Sequence, residues 1–337
     1  MKLISDVKFV PTGSTLLNLT LSDRVDGGLA LGRIANVIGD ASTGKTMLGL
    51  SVLAEAAHLR EFENHHLIYD DTEAALAIDV GRMFGGKLAN RLEFPTPDVE
   101  FSDTVENFYR NILWRIGQGE PFIYVLDSFD ALATEEDEET AAALQKTGQV
   151  KGGYGVAKAK MASQILRHIN SELKNLDSLL IIISQTRQDL TSVFSRKIRS
   201  GGRALGFYTS YEIWLTNKGR IKVSDTVVGN MVQAEVTKNK ITGKIRKVEF
   251  PIYYEYGIDD VGSMVDFLLN FGKWRKKNKL TVVAEFSEDL ILELTPKKLI
   301  KEIEANPETF RRLRELVAAV WQEHEERVSM RRKPKYE

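Results

Sequence analysis

Gly39-Asp40-Ala41-Ser42-Thr43-Gly44-Lys45-Thr46 fits the spacing G-x-x-x-x-G-K-[ST] of a phosphate-binding loop. Before it runs Arg33-Ile34-Ala35-Asn36-Val37-Ile38, an apolar, β-branched run that suits a buried strand. After it, Met47 to Ala57 suits a helix. Strand, loop and helix in that order are the context the motif requires. Backbone N–H groups of such a loop point at phosphate oxygens, and the helix N-terminus adds partial positive charge. Lys45 then reaches the β- and γ-phosphates and the Thr46 hydroxyl coordinates Mg²⁺. The ligands expected from this loop are therefore a nucleoside triphosphate and Mg²⁺, with Gly39 through Thr46 as the cradle.

Composition narrows the class. A chain of 337 residues accommodates one large α/β domain and a smaller appendage. Hydrophobic content of 43% and charged content of 28% are those of a globular protein with ample core. The formal net charge of -1 means that any nucleic-acid site must be local. Cysteine is absent, which excludes disulfides, thiolate catalysis and Cys-based metal sites and fits a reducing compartment. The first ten residues lack a long apolar core, and no run reaches the ~18 apolar residues of a membrane span. A cytoplasmic protein with no membrane partner is expected.

Further along, Leu67-Ile68-Tyr69, Phe122 to Asp127 and Leu179 to Ile183 read as buried strands, alternating with helical stretches near 74–84, 108–116 and 157–176. Strands follow at Tyr211–Leu215, Met231–Lys238 and Val248–Tyr254. This alternation predicts an α/β fold with a mainly parallel central sheet covered by helices on both faces. The polar ends of its early strands gather at one edge, where such sheets bind ligands. The expected division is an ATPase core over 1–272, a small, mostly helical C-terminal domain over 273–330 and a basic tail over 331–337. The basic run Lys273–Lys279, which contains Trp274, is the candidate boundary. Thr295-Pro296 and Asn306-Pro307 are helix starts, the second followed by an apolar face of Phe310, Leu313, Leu316, Val317, Val320 and Trp321.

Several strand ends carry chemistry. Asp127 closes Phe122–Leu126 and is placed to hold Mg²⁺, usually through water. Glu73 follows Leu67–Tyr69 and suits a general base for the attacking water; Asp70 and Asp71 compete for that role on spacing alone. Gln185 ends the fourth apolar strand, where an amide can sense the third phosphate. From Arg187 to Arg203 five cations (Arg187, Arg196, Lys197, Arg199, Arg203) face one acid, Asp189. Such a loop suits phosphate-backbone contacts, with Phe194 as the aromatic that inserts at a base step and Gly201-Gly202 as the hinge.

These segments together resemble the RecA family of recombinases. Pro11-Thr12-Gly13-Ser14, Gly27-Gly28 and Gly32-Arg33 look like its entry into the ATPase core. Asp71-Thr72-Glu73-Ala74-Ala75-Leu76 resembles the segment with the catalytic glutamate, and Val125-Leu126-Asp127-Ser128 its Mg²⁺-binding strand. Ile183-Ser184-Gln185-Thr186-Arg187 is similar to the strand end that links the γ-phosphate to the second DNA-binding loop, about 187–206. Gly201-Gly202-Arg203 through Tyr208 resembles that loop's end, and Lys238-Asn239-Lys240 the pair of lysines that reach the ATP of the neighbouring subunit. The likeness runs on through Phe250-Pro251-Ile252, Gly257-Ile258 and Val265-Asp266, and covers about Phe9 to Leu269.

The resemblance implies a DNA-dependent ATPase that forms a helical homo-oligomeric filament on single-stranded DNA and pairs it with duplex DNA. It puts a first DNA loop at about 133–160, where Lys146, Lys151, Tyr154, Lys158 and Lys160 are weaker candidates. The chain also departs from the family. The core begins near Met1, so the docking helix of bacterial members is expected to be missing or replaced. The acidic run Glu135–Glu139 disfavours phosphate near the first loop, the adenine-stacking aromatic falls near Val80, and the chain ends basic. These features point to a phage-type or core-only relative. A ring motor of helicase type and a nucleotide-switched mediator without strand exchange of its own are the alternatives.

Overall fold

The computed structural model describes residues 7–74, 76, 78–136, 156–188, 197–199 and 202–330. The chain opens with β1 (Phe9–Val10), α1 (Thr15–Ser22), β2 (Leu29–Ala30), β3 (Arg33–Gly39) and α2 (Lys45–His58). It continues with β4 (His66–Asp71), α3 (Val80–Phe84), α4 (Gly86–Ala89), β5 (Leu92–Glu93), α5 (Val105–Gln118) and β6 (Phe122–Asp127). Then come α6 (Val156–Asn175), β7 (Leu179–Gln188), β8 (Lys197–Arg199), α7 (Gly202–Tyr208), β9 (Tyr211–Val223), β10 (Thr226–Asn239), β11 (Arg246–Tyr253) and β12 (Gly257–Ile258). The last elements are α8 (Asp260–Asn270), β13 (Arg275–Lys276), β14 (Val282–Ser287), β15 (Leu290–Leu294), α9 (Pro296–Ala305) and α10 (Pro307–Val328).

One sheet organises the molecule. Its order is β12-β11-β10-β9-β3-β7-β6-β4-β5, with β8 pairing β7. From β9 to β5 every neighbour is parallel, whereas β9 to β12 form an antiparallel run. The expected α/β fold with a mainly parallel central sheet is therefore the observed one.

Period-2 alternation assigns the strand side chains to two cores. Ile123 and Val125 of β6, and Leu179, Ile181 and Ile183 of β7, face α2. Phe122, Tyr124 and Leu126, with Leu180 and Ile182, face α5 and α6. Each such fully buried side chain contributes about 1.5–3 kcal/mol. Gly49 shows how close α2 lies: a Cβ there would stand 3.0 Å from Val125 Cγ1 and 3.4 Å from Ile183 Cδ1. Helix ends follow local chemistry. The Thr104 hydroxyl caps α5 at Asn107 N, and Gly119, at φ 75°, ends it.

The C-terminal part is mostly helical, as expected, and also holds strands that the sequence reading does not include. An antiparallel meander β13-β14-β15 precedes α9 and α10. Trp274 sits in the basic run yet is buried at 2% exposure, donating Nε1–H to Glu285 O at 3.0 Å. Its core joins that of the sheet through Leu299, Leu313 and Trp321. Arg246 of β11 pins this part down by pairing with Asp23 after α1 (2.6 Å) and with Glu325 of α10, its guanidinium 5.3 Å from the Trp321 ring centroid. Among the described residues no helix is long and apolar enough to cross a membrane.

Candidate nucleotide site and the loops around it

The phosphate loop leaves the C-terminal end of β3 and enters α2. Gly44 occupies the left-handed region at φ 89°, and no side chain caps the helix behind it. The first N–H groups of α2 therefore stay available to an anion. At that φ a side chain would be strained, and a Cβ on Gly44 would also stand 2.4 Å from Ile252 Cδ1, which would have to shift. Lys45 is half-buried and donates Nζ–H to Asp40 O at 2.7 Å. Burial pulls its pKa below the ordinary lysine value, while Asp127, Asp40, Glu73 and Asp130 oppose that.

The sheet register brings the acids to the same edge. Asp127 ends β6 level with Asp71, and Gly39 stands level with Gln185. Thr46 Oγ1 donates to Asp127 Oδ2 at 2.5 Å, and the Tyr69 hydroxyl donates to the same oxygen at 2.8 Å. Burial raises the Asp127 carboxyl pKa, and those two hydroxyl donors partly lower it again. A hydroxyl and a carboxylate in contact at a helix start are the oxygen donors that suit Mg²⁺, which keeps several waters. The donor set fits a Mg²⁺–nucleoside triphosphate: Thr46 and Asp127 for the ion, the Gly39–Thr46 backbone and Lys45 for phosphate. Among the described residues no cluster of three or more His, Asp or Glu side chains forms a metal cage.

The three competing acids separate cleanly. Asp70 points to the opposite face, where it is fully buried and accepts Ser102 N–H (2.8 Å), Ser102 Oγ–H (2.6 Å) and the Tyr124 hydroxyl (2.6 Å). Asp71 accepts Leu76 N–H at 2.8 Å and so closes the turn after β4. Of the three, Glu73 is the one bonded to Gln185: its Oε1 accepts from Ser128 Oγ at 2.7 Å and from Gln185 Nε2 at 3.3 Å.

Gln185 is joined to its surroundings by the backbone as well, donating its N–H to Asp130 Oδ2 at 2.6 Å. The next residue, Thr186, bonds to the side chain of Asp40 in the phosphate loop. Arg187 is exposed and lies 3.8 Å from Asp130. Beyond it β7 pairs with β8, with Thr186 opposite Arg199 and Gln188 opposite Lys197. Gly202 and Arg203 open α7. Phe194, Arg196 and Gly201 lie outside the described residues, as do Lys146, Lys151 and Tyr154. Lys158 turns toward its own chain: its Nζ donates to Leu132 O at 2.5 Å and stands 4.8 Å from the Phe129 ring centroid.

Lys238 and Lys240 are not brought to this edge. Lys238 stands opposite Glu212 and Asn239 opposite Tyr211, the residue level with Ala35 on β3. That is four residues below Gly39, about 13 Å down the sheet. Both ammonium groups bond to α7 carbonyls, Lys238 to Gly206 O and Lys240 to Phe207 O.

Sequence reading missed three contributors. Tyr69, Ser128 and Asp130 each touch a site residue, yet their roles depend on which strands are neighbours. A cavity of about 340 Å³ adjoins the phosphate loop and is lined by Ile78, Asn230, Ile252 and Tyr254. Val80 is not among its lining residues. A cavity of about 440 Å³ lies away from this edge, between α1, α2 and α10, and is lined by Arg24, Asp260 and Arg314.

Comparison with known proteins agrees with this geometry. The family model describing the RecA N-terminal domain matches residues 1–259. The chain is 30% identical over 282 residues to "Protein RecA" of Wigglesworthia glossinidia brevipalpis, covering 81% of this chain and 78% of that protein.

Proposed function

The chain belongs to the RecA family, and from that premise we propose that it is an ATP-dependent, single-stranded DNA-binding recombinase. It assembles as a filament and promotes homologous pairing and strand exchange. The observation that carries this reading is the unbroken path from the phosphate loop to the basic segment. Asp40 bonds to Thr186, Glu73 to Gln185, and both partners lie on β7, the strand that leads into Arg187 and β8.

In this reading the α2 N-terminus and Lys45 bind the phosphates, and Thr46 and Asp127 hold Mg²⁺. Held there, the ion would supply neutralisation of phosphate charge. Glu73 orients and deprotonates the attacking water; its bond from Ser128 holds the carboxylate toward the site. Gln185 exchanges its contact with Glu73 for the γ-phosphate, which shifts the segment after it between two arrangements. Arg187, Phe194, Arg196, Lys197, Arg199, Gly201, Gly202 and Arg203 then contact DNA. Lys238 and Lys240 complete the ATP site of the neighbouring subunit. Their separation from Lys45 within one chain supports that assignment, because one subunit does not supply both sets of cations.

The test is turnover. Lys45→Ala should abolish ATP hydrolysis, and hydrolysis by the wild type should rise with single-stranded DNA. A rate unchanged by DNA would sink the mechanism. A strand-exchange assay with and without added mediator separates a recombinase from a loading factor.

A further inference from the structure

Tyr69 lies on β4 beside β6, level with Val125 and two residues short of Asp127 on the same sheet face. Its ring is 5% exposed within the core under α2, and its hydroxyl reaches Asp127 Oδ2 at 2.8 Å. Thr46 Oγ1 donates to the same oxygen at 2.5 Å. Two O–H donors from two different elements thus converge on Oδ2. No described residue donates to Oδ1. The carboxylate plane is fixed by the pair, and Oδ1 is the oxygen left to accept from water around the ion.

We infer that Tyr69 is a positioning residue for the Mg²⁺-holding carboxylate of Asp127, a role that rests on the nucleotide site proposed above. Thr46 cannot do this alone. Its hydroxyl sits at the first turn of α2 and in that site would itself be a ligand of the ion, so it would move with it. Tyr69 is anchored in the sheet, does not line the cavity beside the phosphate loop, and gives its hydroxyl to Asp127. Removing it leaves Asp127 held by Thr46 alone, the group that would share the ion with it. Loss of a partner that orients a metal-binding side chain typically weakens metal affinity 10–100-fold.

The structure also supplies an internal control. Tyr124, one strand over, donates its hydroxyl to Asp70 Oδ2 at 2.6 Å on the opposite face of the sheet. The two tyrosines share the same chemistry, a buried phenol on a neighbouring strand's carboxylate, but only one of those carboxylates faces the phosphate loop.

The experiment compares wild type, Tyr69→Phe and Tyr124→Phe as full chains. A fluorescent, non-hydrolysable ATP analogue is titrated without metal and across a Mg²⁺ series. For Tyr69→Phe, the Mg²⁺ concentration giving half of the metal-dependent gain in affinity should rise about tenfold. Its metal-free nucleotide affinity should stay within about twofold of wild type, and Tyr124→Phe should leave the Mg²⁺ midpoint in place. Superimposable Mg²⁺ curves for Tyr69→Phe and wild type would overturn the inference. So would a loss of metal-free affinity in Tyr69→Phe, or equal midpoint shifts in both variants, since each marks a merely structural hydroxyl. If wild type itself binds no analogue, the nucleotide reading has failed, which is a separate result.

Discussion

Glu73, Asp70 and Asp71 are three acids within four positions, and sequence spacing treats them alike. The pleat does not. Asp70 and Asp71 point to opposite faces of β4, and Glu73 lies past the strand end beside Gln185. The environments differ accordingly: burial pushes the Asp70 carboxyl upward, against the pull of its Ser102 and Tyr124 donors. A general base contributes about 10²–10⁴-fold to rate. Glu73→Gln should therefore lower ATP turnover at least about a hundredfold while nucleotide affinity changes by less than about threefold. Asp70→Asn should instead lower the unfolding midpoint and leave the chemical step intact. Single-turnover kinetics beside urea titrations separate the two, and a Glu73→Gln protein that still turns over at wild-type rate would remove Glu73 from the mechanism. At this scale the sequence offers three closely spaced carboxylates, and their directions come from the register with β6.

Helix starts are the element-scale features most legible in the chain. Asn306 accepts from Glu308 N (3.0 Å) and Thr309 N (3.1 Å), with Pro307 at the first turn of α10, as that pair of residues predicts. The link between α1 and α8 was not legible. Thr15, the first residue of α1, gives its N–H (2.6 Å) and hydroxyl (2.8 Å) to Asp260, the first residue of α8, 245 positions away. Burial pushes Asp260 up to about 6 from 3.8, although the Thr15 bonds pull it down. The native state then binds more protons than the unfolded chain between those values. Asp260 carries no penalty below the unfolded value, an increasing one as pH rises through the window, and the full penalty above about 6. Stability of wild type relative to Asp260→Asn should consequently fall from about pH 4 to about pH 7 and then level off. Urea unfolding at stepped pH measures it; a difference that stays flat would mean that Asp260 titrates normally. The strands β13 to β15 were missed for a plain reason. They are short, and the alternation in β15 leaves its side chains only partly buried or exposed.

At the scale of the whole molecule, the phosphate loop and the Lys238–Lys240 pair occupy opposite ends of one sheet. A site that needs both is built across a head-to-tail contact, the kind of interface that propagates into a filament. Lys45→Ala subunits and subunits carrying Lys238→Ala with Lys240→Ala should each hydrolyse almost no ATP alone. Mixed together, they should recover activity, because some contacts pair an intact loop with intact lysines. Absence of recovery under conditions that assemble wild type would place both sets of residues in one subunit or remove the lysines from the site. The sequence by itself determined the phosphate loop, the order of buried strands and amphipathic helices, and hence the parallel sheet, because those depend on local spacing and side-chain period. Tertiary structure alone decided which acid meets Gln185, that Tyr69 and Thr46 meet on one oxygen of Asp127, and that Lys45 and Lys238 stand apart. Those outcomes depend on which strands become neighbours and in what register, and no local pattern in the loop Gly39–Thr46 encodes that.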